Sequence, residues 1–334
     1  MTRLIRTLTA LGLTLGLTTT PALAQEALLN ASYDVAREFY KDYNEAFAKH
    51  WQAQTGKAVT LNQSHGASSK QARAIVDGLE ADVATMNQQT DIELLADNGL
   101  VSPQWRSQFP HNASPYTSTI IFLVRKGNPK GIKDWDDLVK DGVQVIIPNP
   151  KTAGNGRYSY LAAWAYAEEK LGGADQAREF VAKLFKNVPV LDAGGRAATT
   201  TFIQRQIGDV LLTFESEVQQ ISQQFEPGAY EVVYPSQSIL AENPVAVVDK
   251  VVDKKGTREL ATAYLQYLFS PEGQRIAARH FLRPAVPEIA AEFKQQFPEI
   301  RLITVDERFG GWKQALKTHF ADGGVFDQIY TPGR

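Results

Sequence analysis

Val143-Gln144-Val145-Ile146-Ile147-Pro148-Asn149-Pro150-Lys151-Thr152-Ala153-Gly154-Asn155-Gly156-Arg157 is the stretch from which the fold can be read. An apolar, β-branched run stops at a proline, as a buried strand does. The Gly-rich loop Lys151 to Gly156 follows, and a helical pattern then runs from about Arg157 to Lys170. Upstream, the strand Ala58 to Leu61 gives way to a polar turn, Gln63 to Ser68. A helix follows there, marked by Ala72, Ile75, Val76 and Leu79 at i, i+3, i+4 and i+7. Downstream, Val188 to Leu191 precedes Asp192-Ala193-Gly194-Gly195-Arg196, which opens a helix through Phe202 and Ile203, and Asp209 to Phe214 is a further strand.

Further out, Leu28 to Tyr33 reads as a first strand, and Ala81 to Met86 as a third. Val35, Phe39, Tyr43, Phe47 and Trp51 lie between them at unbroken i+4 spacing, the apolar stripe of a helix. Strand, loop and helix in alternation predict an α/β protein with mostly parallel sheets. The units fall into two sets, one before about Lys126 and one from there to Tyr234. Thr119 to Val124 and Pro244 to Val248 read as connections between the sets, although each also reads as an ordinary buried strand.

Arg3 and Arg6, the apolar run Leu8 to Leu17, and Ala22-Leu23-Ala24 have the order of a secretory signal peptide. Residues 1–24 are therefore expected to be removed after Ala24, leaving a chain long enough for two domains. Loss of Arg3 and Arg6 moves the net charge from −2 to −4. A mildly acidic chain without basic runs argues against nucleic acid as the partner. With no cysteine there are no disulfides, thiolate metal sites or cysteine nucleophiles, and no cofactor motif is present.

Three loops share one shape: Ser64 to Ser69, Thr152 to Gly156, and Ala193 to Arg196. Each joins the end of a strand to the start of a helix through small residues. The first N–H groups of a helix lack intrahelical acceptors and carry a positive partial charge, so small residues there can cradle an anion. Each loop taken singly also reads as a tight turn before a capped helix. No P-loop, G-x-S-x-G or H-E-x-x-H motif occurs. His65 beside Ser64 and Ser68 leaves a Ser/His nucleophile as the alternative from another functional class. Arg157 and Arg196, each behind a Gly-rich loop, face an anion or make ordinary surface ion pairs.

At these loops the sequence resembles the sulfate- and thiosulfate-binding proteins of bacterial ABC importers. Gln63 to Gln71, Pro148 to Tyr158, Leu191 to Arg196, Phe122 to Pro129 and Phe309-Gly310-Gly311-Trp312 carry the resemblance, which runs over nearly all of Gln25 to Gly333. It implies a two-lobed periplasmic binding protein fold of type II: residues 25–121 and 246–334 as lobe I, 122–245 as lobe II, and hinge strands at about 119–124 and 244–248. It implies a periplasmic monomer that binds thiosulfate or sulfate between its lobes, uses no metal or other cofactor, and works with an inner-membrane ABC permease complex without catalysis. Ser68, Ala153, Gly154, Asn155, Gly195 and Phe214 fall at ligand-binding positions; Ser32, Tyr33, Asp34, Arg157 and Arg196 fall near the cleft. Ala153 and Phe214 stand where the sulfate binders have a donating serine and tryptophan, which points to the thiosulfate branch. That branch usually keeps the serine, so Ala153 departs from both. Other tetrahedral oxyanions, molybdate and phosphate, are the nearest alternatives.

Overall fold

The computed structural model describes residues 26–224 and 228–330; the expected signal peptide lies outside them. The strands are β1 Glu26–Tyr33, β2 Val59–Gly66, β3 Val83–Thr85, β4 Tyr116–Arg125, β5 Val145–Pro148, β6 Leu191–Asp192, β7 Val210–Phe214, β8 Tyr230–Val233, β9 Gln237–Glu242, β10 Val245–Val247, β11 Arg283–Pro284 and β12 Arg301–Ile303. They form two sheets with helices between the strands. One has the order β10-β3-β1-β2, the other β12-β9-β4-β7-β5-β6, with β8 and β11 also paired to β4.

In the first sheet β1 runs parallel to β2, from Glu26 opposite Val59 to Tyr33 opposite Gly66, and parallel to β3. The helix Arg37–Thr55 packs on β2, and Ser68–Val76 packs on β1. The aromatic stripe explains the first of these helices: Phe39, Tyr43, Phe47 and Trp51 are all buried. Val35 belongs instead to a 3-10 turn, Asp34–Ala36, that leads into the helix. The polar segment expected to be a turn differs too, because Gln63 to Gly66 continue β2 by pairing with Asn30 to Tyr33. Leu79 falls beyond the end of its helix at Val76.

In the second sheet β5 is parallel to β6 and β7. β4 is antiparallel to β7, β8, β9 and β11, so this sheet is more mixed than the sequence pattern suggests. β4 is also the strand that joins the two cores. Tyr116, at its start, is buried with the first core, and Ile120, Phe122 and Val124 with the second. The chain returns between Ala241, in the second core, and Val245, in the first. Ile120, Phe122 and Val124 therefore lie in the second core, and Ile121 and Leu123 in a further apolar cluster with Ile146, Leu211 and Phe202, not at a boundary between the first two.

A third passage was not expected. Residues 246–334 were assigned to the first lobe, yet Ile303, Val305, Trp312, Phe320 and Phe326 pack in the second core. The cause is strand pairing: β12 adds to β9 in parallel, with Arg301 opposite Gln237, and carries the C-terminal helices with it. Within the described residues, no helix is long and apolar enough to cross a membrane.

Candidate ligand-binding site

The carboxyl ends of six parallel strands face one another across the two cores. β1 leads into Asp34 and Val35, β2 into Ala67 and Ser68, and β3 into Asn87. From the other core β5 leads into Ala153, Gly154 and Asn155, β6 into Gly194 and Gly195, and β7 ends at Phe214, with Glu217 one turn on. These twelve residues line one cavity of about 20 Å³. Open α/β sheets bind ligands at this end of their strands.

Three helices start on this cavity: Ser68–Val76, Gly154–Leu171 and Gly195–Ile203. Their N-cap residues are Ala67, Ala153 and Gly194, and none of the three has a side-chain cap. A serine, threonine or aspartate normally takes up an orphan N–H at this point. Here the first intrahelical bonds are made by Lys70 to Ala67, by Arg157 to Ala153 and by Ala198 to Gly194, so the helical N–H groups before them have no i−4 acceptor, whereas the N-cap Ala153 N–H is taken by the Asn149 carbonyl at 2.9 Å. Each helix start carries roughly half a positive charge, and three supply roughly +1.5. Among the described residues, no lysine, arginine or histidine lines the cavity. The arrangement suits a small, fully desolvated anion held by backbone dipoles.

The sequence placed Gly154 to Gly156 in a loop, but they form the first turn of the helix. Glycine is a poor helix former, and contact explains its use. A Cβ on Gly156 would overlap the Pro148 carbonyl oxygen, so the helix start lies directly on the end of β5. A Cβ on Gly154 would come within 2.7 Å of Asn87 Oδ1 and 2.9 Å of Gln88 Oε1, both from the first core. Those two oxygens are buried without a hydrogen-bond partner among the described residues. The two cores therefore meet at Gly154.

Each side of the cavity is braced by a buried carboxylate. On the first, Ser68 Oγ donates to Asp91 Oδ2 at 2.5 Å, and Ser69 Oγ and Gln88 Nε2 donate to Oδ1 at 2.8 and 3.0 Å. On the second, Thr199 Oγ1 donates to Glu217 Oε1 at 2.5 Å. Thr213 Oγ1 donates to Oε2 and accepts from Asn155 Nδ2 at 2.7 Å. Burial pushes both carboxyl groups above their usual range, against the hydroxyl bonds that pull them down. Asp34 is raised in the same way, and Arg196 partly opposes the shift.

All six expected ligand-binding residues, Ser68, Ala153, Gly154, Asn155, Gly195 and Phe214, lie on this cavity, and so does Asp34. Arg196 lines a neighbouring chamber instead. Ser32 is fully buried, its hydroxyl donating to the Tyr33 carbonyl at 3.3 Å, and Tyr33 belongs to the first core. Arg157 turns back onto its own loop, donating to the carbonyls of Pro150 at 2.9 Å and Lys151 at 3.3 Å. Ser68 donates its hydroxyl to Asp91 and Ser64 to Gln71 Oε1, so neither serine of the Ser/His alternative is bonded to His65. Ala67 and Gly194 belong to two of the expected loops without being singled out there, and sequence reading missed Val35, Asn87 and Glu217 as lining residues.

The comparisons agree with this geometry. The family described as bacterial extracellular solute-binding protein matches residues 34–283. The thiosulfate-binding protein of Pseudomonas aeruginosa is 60% identical over 97% of both chains. The sulfate-binding protein of Escherichia coli is 52% identical over 95% of this chain and 97% of its own. Among solved structures, the sulfate-binding protein SubI of Mycobacterium tuberculosis superposes with a TM-score of 0.78 at 30% identity, covering 92% of this chain and all of that one.

Proposed function

The chain belongs to the bacterial extracellular solute-binding proteins, and we propose that its cavity captures thiosulfate, with sulfate as a second ligand, for delivery to an ABC importer. The observation that carries this reading is the meeting of three uncapped helix starts, one on the first sheet and two on the second, on a cavity without a basic side chain among the described residues. A dianion there satisfies the orphan N–H groups and the helix dipoles together.

Thiosulfate is placed first for a chemical reason. Its terminal sulfur is larger than oxygen and a weak acceptor, and Ala153 and Phe214 offer that position a wall without donors. Tyr158 backs the wall edge-on, its ring 5.9 Å from that of Phe214. Phosphate keeps a proton at neutral pH and needs an acceptor, for which the cavity has two carboxylates, Asp34 and Glu217, so titration and not the lining separates it from the sulfur anions. Glu217 already accepts a threonine hydroxyl on each oxygen.

In this reading the protein is an exported monomer of the periplasm, cleaved after Ala24, which binds its ligand without catalysis. The lobes are the two cores, and their hinge is where the chain changes core, at residues 117–119 and 242–244 and in the third passage between Leu282 and Ile303. Calorimetric titration of anion-depleted protein tests the assignment. Thiosulfate and sulfate should each saturate one site per chain, with molybdate and phosphate much weaker. No heat with either sulfur anion, or tighter binding of molybdate or phosphate, overturns it.

A further inference from the structure

The small cavity adjoins a second space. Asp34, Val35 and Glu217 line both it and an adjoining chamber of about 220 Å³, against about 20 Å³ for the first. Arg37 and Glu38 form one wall of the chamber, and Arg196, Thr200 and Gln204 form another. Some surface arginines are paired, as Arg258 is with Asp249 and Arg275 with Glu292, while Arg73 and Arg205 have no ion pair among the described residues. Among the described residues, the four charged groups Asp34, Arg37, Glu38 and Arg196 have no ion pair within 4 Å. With Glu217, whose two oxygens accept the Thr199 and Thr213 hydroxyls, the chamber holds three carboxylates and two guanidiniums; the four groups without an ion pair, two of each sign, are complementary to a zwitterion.

An inorganic tetrahedral anion occupies the small cavity and leaves this chamber to solvent. An anion whose terminal sulfur carries a substituent must turn in the same cradle, its –SO3 end on the helix starts and its sulfur away from the Ala153–Phe214 wall and past Asp34, Val35 and Glu217, to direct the substituent into the chamber. We propose that the cleft also binds S-substituted thiosulfates, R–S–SO3−, in which R is a small group bearing both an ammonium and a carboxylate. The ammonium faces Asp34 and Glu38, and the carboxylate faces Arg37 and Arg196. Substitution lowers the charge at the cradle from two to one, and the pairs in the chamber offset that loss. The proposal rests on the assignment of the small cavity to the sulfonate end.

Calorimetry on the anion-depleted full chain tests it with three probes: inorganic thiosulfate, S-sulfocysteine and S-methyl thiosulfate. S-sulfocysteine should bind one per chain, compete with thiosulfate, and bind at least about tenfold more tightly than S-methyl thiosulfate, which lacks the charged groups. Thr200→Phe fills the chamber without touching the small cavity, and Arg37→Gln removes one guanidinium. Each should weaken S-sulfocysteine about tenfold and change thiosulfate by less than about threefold. If thiosulfate binds and S-sulfocysteine does not compete, or if both variants weaken the two ligands equally, the chamber has no such role. If thiosulfate itself fails to bind, the parent assignment falls and the proposal falls with it.

Discussion

Ala153 and Phe214 show what single residues decide here and how far they can be read. Both were legible from the sequence because they break an otherwise continuous resemblance, and both line the small cavity. Replacing them by Ser and Trp adds a hydroxyl and an indole N–H where a sulfate oxygen would lie. Hydrogen bonds to a charged group are worth about 1.5–3 kcal/mol, so the double variant should bind sulfate more tightly by at least about tenfold. Thiosulfate should gain less, since its sulfur uses such donors poorly and the indole crowds it. Titration of both anions into wild type, singles and double checks this, and an unchanged affinity ratio rules the wall out as the selector. Glu217 shows the opposite case. Glu215 and Glu217 sit two residues apart in one run, yet Glu215 pairs with Arg283 at 2.6 Å while Glu217 lines the cavity. Nothing in the local pattern separates them, because only the packing of the helix on β7 assigns their faces. Arg157 was equally ambiguous, and its bonds to its own loop resolve it in favour of structure over ligand.

Helix starts are the elements that matter, and their existence was legible while their edges were not. Small residues after an apolar run located all three. The sequence ended β2 too early and began the Gly154 helix too late for two physical reasons. Strand pairing with β1 extends a polar segment of low intrinsic β-propensity. Contact with Pro148 makes glycine necessary inside a helix that it would otherwise weaken. The missing caps give a test at this scale. Ala153 already has the extended backbone of an N-cap, φ −129° and ψ 131°. Asp in its place should bond the orphan N–H groups of its own helix, a gain of about 0.5–2 kcal/mol that offsets the cost of burying the carboxylate. Ala153→Asp should therefore melt no lower than wild type without ligand. The internal carboxylate then holds the place of the anion, so the rise in melting temperature that thiosulfate gives the wild type should vanish. A full shift in the variant would mean that the helix starts are not what holds the ligand.

At the scale of the molecule, neither core contains the whole cradle, so the ligand must act on how the cores are arranged. The general plan of two α/β units was legible, because each unit repeats a local pattern. The third passage was not, since the pairing of β12 with β9 joins residues more than sixty positions apart. That passage has a role at the site: Trp312 packs edge-on against Tyr158 at 4.9 Å, directly behind Phe214. With the cores apart, an anion on the second lobe meets two helix starts and water. With the cores together it meets three and no bulk solvent. The closed arrangement therefore binds better, and by population shift thiosulfate should favour it. Small-angle scattering should show a smaller radius of gyration with saturating thiosulfate than without. Gly154→Val provides the control, because its side chain would occupy the space where Asn87 and Gln88 meet the helix start. The variant should stay folded, since valine is tolerated in a helix better than glycine. Its lobes should remain apart, with weakened binding and little or no ligand-induced contraction. Contraction equal to wild type in Gly154→Val, or identical wild-type profiles with and without ligand, would show that capture does not depend on bringing the two cores together.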